Sequence, residues 1–100
     1  MGYELRIIRP EQATPITLSE WLGVVETDAE MQREGVANAE TAAGTVRYEN
    51  PGLVKWKNTW FDFRRGKIFV KNPNAEDILK MKQLAAKLNA KVTGDEGEEY

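Results

Sequence analysis

Trp60-Phe61-Asp62-Phe63-Arg64-Arg65-Gly66-Lys67-Ile68-Phe69-Val70-Lys71 is the stretch that decides the fold. Apolar and polar side chains alternate on both sides of Arg65-Gly66, the pattern of two strands joined by a tight turn. Phe61 and Phe63 fall on one face of the first strand, and Trp60, Asp62 and Arg64 on the other.

Upstream, Thr45-Val46-Arg47-Tyr48-Glu49 and Leu53-Val54-Lys55-Trp56-Lys57 alternate about Asn50-Pro51-Gly52, where proline suits the second turn position and glycine the third. A hairpin is expected there, with Val46 and Tyr48 sharing a face with Val54 and Trp56. Near the N-terminus Tyr3, Leu5 and Ile7 alternate with Glu4, Arg6 and Ile8, a strand that Pro10 ends. Thr17 and Glu20 form a capping-box pair, Ile16 can staple onto Trp21, and Leu18, Trp21, Leu22 and Val25 make one apolar stripe. A helix from Thr17 to about Glu26–Asp28 follows. Residues 29–43 are polar and alanine-rich without a clean period, and read as a long excursion with a short helical turn.

Downstream, Asn72 or Asn74 caps a second helix whose first turn carries Glu76 and Asp77. Ile78, Met81, Leu84, Ala85 and Leu88 form its buried stripe, with Lys80, Lys87 and Lys91 opposite. Asn89 suits a left-handed helix end, residues 90–93 a last strand, and Gly94 releases the acidic tail, residues 94–100. The expected fold is one α+β domain over residues 1–100: two helices on one face of a mostly antiparallel sheet, in ferredoxin-like order with an extra hairpin strand.

The chain has no His and no Cys. Catalysis by Ser-His-Asp or Cys-His is therefore excluded, as are disulfides and the soft ligand sets of zinc. The carboxylates of the tail lack the spacing of a calcium loop, and no glycine-rich phosphate loop is present. No metal, cofactor or catalytic residue is expected. Neither a membrane span nor a signal peptide is read, and a cytoplasmic protein is expected.

Charge is polarised along the chain. Residues 1–50 hold nine acids against four arginines, residues 51–91 ten bases against three acids, and the tail adds four carboxylates, for a net −2. The first expectation is that folding interleaves these blocks so that sheet and helix faces neutralise each other in space; the alternative is a dipolar surface that steers a charged partner. Two contact candidates follow: the tail residues Asp95, Glu96, Glu98, Glu99 and Tyr100, an acidic run with an aromatic anchor, and the patch Trp60, Asp62 and Arg64. Lys55, Lys57, Arg64, Arg65 and Lys67, interleaved with aromatics, point to nucleic-acid or regulatory binding as the alternative.

The stretches Thr17-Leu18-Ser19-Glu20-Trp21, Gly44-Thr45-Val46-Arg47-Tyr48, Trp60 to Ile68, Lys71-Asn72-Pro73, Lys80-Met81 and Leu88 to Tyr100 resemble a set of small bacterial proteins encoded near secreted antibacterial toxins. The resemblance spans most of the chain except residues 29–43. It implies a non-enzymatic immunity protein, an antitoxin that binds a cognate toxin's catalytic domain, delivered for example by a type VI or contact-dependent system, and occludes its active site. It carries over no catalytic residue.

Overall fold

A computed structural model describes residues 4–94 and 96–100. The chain forms β1 (Glu4–Ile8), α1 (Leu18–Glu26), β2 (Met31–Arg33), β3 (Val36–Thr41), β4 (Gly44–Glu49), β5 (Leu53–Trp56), β6 (Thr59–Arg64), β7 (Lys67–Lys71), α2 (Ala75–Lys87) and β8 (Lys91–Thr93). Six strands make an antiparallel sheet in the order β2-β5-β6-β7-β1-β8, and β3 and β4 make a separate two-stranded ribbon. The fold is α+β, with both helices on one sheet. A ferredoxin-like order with one added strand was the expectation; in the observed run both β5 and β2 extend the sheet beyond β6.

The hairpin at Arg65-Gly66 forms as read. Arg64 pairs with Lys67, and both turn residues lie in the left-handed region, with φ of 52° and 79°. These are the dihedrals of the primed turn whose twist matches paired strands. The cap of α1 is the expected box, Thr17 Oγ1 accepting from Glu20 N–H and Glu20 accepting from Thr17 N–H. For α2 the cap is Asn74, paired reciprocally with Asp77. Its C-terminus closes with Ala90 N–H donating to Ala85 C=O and Asn89 at φ 52°, which satisfies carbonyls the helix leaves open.

The core lies between the helices and one sheet face. Leu5, Ile7, Val54, Phe61, Ile68, Val70 and Val92 from the strands meet Trp21, Val25, Met81 and Leu84 from the helices. Trp21 and Phe61 stack with ring centroids 6.3 Å apart. Each such side chain contributes about 1.5–3 kcal/mol on leaving water.

Three expectations are corrected. Residues 45–49 and 53–57 do not pair: β4 pairs with β3, and β5 with β2 and β6. The Asn50-Pro51-Gly52 turn is real, with Leu53 N–H donating to Asn50 C=O at 2.9 Å, but it carries the chain from the ribbon into the main sheet. Val46 and Tyr48 are accordingly exposed while Val54 and Trp56 are buried. Second, residues 29–43 hold β2 and β3 rather than a helical turn. Third, Lys80 is buried instead of facing solvent, because its ammonium pairs with the Asp28 carboxylate and lies 5.4 Å from the Trp56 ring. No helix among the described residues is long and apolar enough to cross a membrane.

Candidate partner-binding surface

Strand alternation sends Leu5, Ile7, Phe61, Ile68 and Val70 to the helices, and therefore sends their neighbours to the opposite, uncovered face. The pairing register aligns that face into a row across five strands: Leu53, Asp62, Phe69, Arg6 and Thr93. Glu99 continues it, bridging antiparallel to Thr93. Trp60, Arg64, Lys67 and Lys71 flank the row.

Asp62 is the hub. Its carboxylate accepts from Tyr48 Oη at 3.1 Å, Asn50 Nδ2 at 2.5 Å and Arg64 Nε at 3.1 Å. Asn50 Nδ2 also donates to Phe63 C=O at 2.8 Å, and its Oδ1 accepts from Gly52 N–H at 2.9 Å. The ribbon is thereby fastened at its base over the uncovered face. Burial raises the Tyr48 hydroxyl pKa above its ordinary value, with the Asp62 carboxylate adding and the Asn50 amide opposing, so the hydroxyl stays a donor.

Between ribbon and sheet lies a cleft of about 500 Å³, walled by Tyr48, Leu53, Trp60, Asp62, Arg64 and Phe69 among others. Arg64 crosses it, its guanidinium carbon 4.4 Å from the Phe69 ring centre and Nη2 3.9 Å from Glu4. Arg6 lies 5.7 Å from the same ring, and the Lys55 ammonium 5.2 Å from the Trp60 ring. Val46, Tyr48 and Trp60 remain 52%, 41% and 38% exposed.

The three patch residues read from the sequence, Trp60, Asp62 and Arg64, come together in this cleft, although Asp62 serves the ribbon as much as any partner. Tyr48, Asn50, Arg6 and Glu4 were missed, and Phe69 and Lys71 were read only as part of the basic, aromatic-rich stretch rather than with this patch. The register row was the signal that would have found Phe69 and Arg6. Of the basic set, Lys57 is drawn away, pairing with Glu76 and lying over Trp56.

Gly94 does not release the tail, as the sequence suggested: the tail folds back along the free edge of β8, held by backbone bonds and by Lys91, so it serves its own domain first. Gly94 N–H donates to Glu98 C=O and Tyr100 N–H to Val92 C=O, each at 2.9 Å, and Lys91 pairs with Glu99. Glu96, Glu98, Glu99 and Tyr100 are still exposed, while Asp95 lies outside the described residues. Counting strand spacings from β6 puts Glu99 roughly 19 Å from Asp62 on the same sheet face. One interface of ordinary size, about 800 Å² per partner, spans that distance. No protein-family model matches the chain, and no curated protein or solved structure matches it either.

Proposed function

We propose that the chain is a non-enzymatic binding protein of the immunity type, which holds a cognate secreted antibacterial toxin and blocks its active site. The observation that carries the reading is the sheet face opposite the helices, where the exposed Tyr48, at the base of the ribbon, and Trp60 line a cleft of about 500 Å³. Aromatic anchors beside a well-formed pocket are the usual energetic centre of a protein interface. The exposed tail carboxylates add a second contact at the β8 end, with Trp60, Asp62 and Arg64 at the centre.

The test is to express the toxin domain that this reading requires beside the gene and to measure its neutralisation, with affinity measured in parallel; a neighbouring gene without such a domain overturns the reading. Trp60→Ala is expected to weaken binding at least tenfold, and truncation after Gly94 by more than about 1 kcal/mol. Unchanged affinity in both variants, or no binding to the neighbouring toxin, overturns the reading. A second reading, binding of nucleic acid, is favoured by Lys55, Arg64, Arg65, Lys67 and Lys71 around two aromatics. It requires affinity for RNA or DNA that falls steeply with salt.

A further inference from the structure

The acids and bases of the uncovered face are not in the same condition. Asp62 is engaged by Tyr48, Asn50 and Arg64, Glu4 lies against Arg64, and Asp77 accepts from Thr59 and Asn74. Among the described residues, Lys55, Arg65, Lys67 and Lys71 form no ion pair. The face therefore keeps its negative charge for itself and leaves positive charge for a ligand.

Two anionic classes fit that balance, and the aromatic rings separate them. Stacking of bases needs a free ring face. Here Arg64 covers Phe69 at 4.4 Å and Lys55 covers Trp60 at 5.2 Å, so the rings hold side-chain cations in place rather than standing open. Asp62, Glu4 and Asp77 in the cleft wall also repel a string of closely set phosphates.

Spacing then defines the occupant. Lys67 and Lys71 lie four residues apart on one face of β7, roughly 13 Å, with Phe69 between them; Phe69 and Lys71 line the cleft and Lys67 lies beyond it. An extended chain has the same rise, so its residues i and i+4 meet both lysines while i+2 stands over the cleft. We propose that this face takes an extended acidic segment of the partner protein, carboxylates at i and i+4 on Lys67 and Lys71, and an aromatic or apolar side chain at i+2 in the cleft beside Trp60. The proposal rests on the uncovered face being the docking surface, and names the chemistry of what docks.

The probe is a fluorescein-labelled peptide of three Glu-Ser-Tyr-Ser repeats, compared with a labelled twelve-nucleotide oligouridine by fluorescence anisotropy on the whole chain. The double variant Lys67→Glu, Lys71→Glu is expected to weaken the peptide at least tenfold. A control on α2, Lys82→Glu with Lys87→Glu, changes it less than threefold; all four side chains are exposed, so both variants keep the fold. Absence of peptide binding, equal loss in the two variants, or tighter binding of oligouridine that the β7 variant abolishes overturns the proposal. The Trp60→Ala neutralisation assay reads the docking face separately. A negative peptide result beside a positive Trp60 result removes the acidic segment and leaves the face.

Discussion

Replacing Asp62 by alanine tests whether the ribbon is held over the sheet by a single carboxylate. Three donors lose their acceptor: Tyr48 Oη at 3.1 Å, Asn50 Nδ2 at 2.5 Å and Arg64 Nε at 3.1 Å. The first two lie at the edge of the cleft and contribute about 1 kcal/mol each. Arg64 is 47% exposed, so its share is smaller, about 0.5 kcal/mol after screening by solvent. The expected cost is about 2.5 kcal/mol. Asn50 keeps its bond to Phe63 C=O and Arg64 keeps the Phe69 ring, so the main sheet stays folded and the loss concentrates at the ribbon. Amide hydrogen exchange reads it directly: β4 amides at 44–49 exchange roughly seventy times faster if opening costs that much less. Where ribbon and sheet unfold together, the same loss appears as a fall of about 10–20 °C in Tm. Tyr48→Phe, which removes one donor, gives about 1 kcal/mol, and Asp62→Asn, whose amide oxygen still accepts, falls between. Exchange at 44–49 and Tm both unchanged in Asp62→Ala refute the hub.

Gly52→Ala is expected to cost about 1–3 kcal/mol in urea unfolding, because the new methyl would stand 2.6 Å from Phe63 Cβ and 3.2 Å from Leu18 Cδ1. The Arg9 guanidinium and the Thr17 N–H hold the Glu20 carboxyl at about 2, below its ordinary value of 4.5. A depressed carboxylate stabilises the fold above its unfolded pKa and loses that contribution as pH falls through the folded one. The Tm gap between wild type and Glu20→Gln is therefore full at pH 7, shrinks below about pH 4.5 and closes near pH 2. A gap that persists undiminished at pH 2 refutes the assignment.

What could be read from the sequence follows how each element is stabilised. Both helices carry local signatures, Thr17 with Glu20 and Asn74 with Asp77, and an apolar stripe on one side, so propensity, caps and burial agree. The β6–β7 hairpin has its register set by a two-residue turn. The ribbon offers neither aid. β4 is exposed along its whole length, so Val46 and Tyr48 show the period of a strand with a core face, while Val46 is exposed and Tyr48 lines the cleft. Residues 36–41 present no apolar alternation, and the left-handed Gly35 and Gly44 that bracket them are visible as glycines but not as a paired strand. Asn50-Pro51-Gly52 specifies a turn and says nothing of whether its flanks pair. That is settled at a distance, where Gly52 C=O accepts from the Trp21 indole and from Phe63 N–H. The site follows the same logic: Trp60, Asp62 and Arg64 share a strand face and were found together, while Phe69 and Arg6 join them only through register.

The charge blocks along the chain are not cancelled by folding. Among the described residues, the ion pairs that join residues 1–50 to residues 51–91 are Asp28 with Lys80 and Glu4 with Arg64. Arg9–Glu20, Arg33–Glu26 and Arg47–Glu49 close within the first block, Lys57–Glu76 and Arg64–Asp62 within the second, and Lys91–Glu99 joins the second block to the tail. The basic centre of the sheet face and the acidic tail at its edge therefore stay distinct, roughly 19 Å apart by strand spacing. A partner with the reversed polarity gains orientation before contact, because fields of this kind raise the association rate and disfavour wrong alignments. In the proposed complex Trp60 and Tyr48 would act after the encounter, in the cleft they line, where apolar burial would set how long the complex lasts. On the proposed binding reading, affinity and rate draw on different residues of the same face: the lysines of β7 and the tail carboxylates would govern arrival, and the two aromatics release.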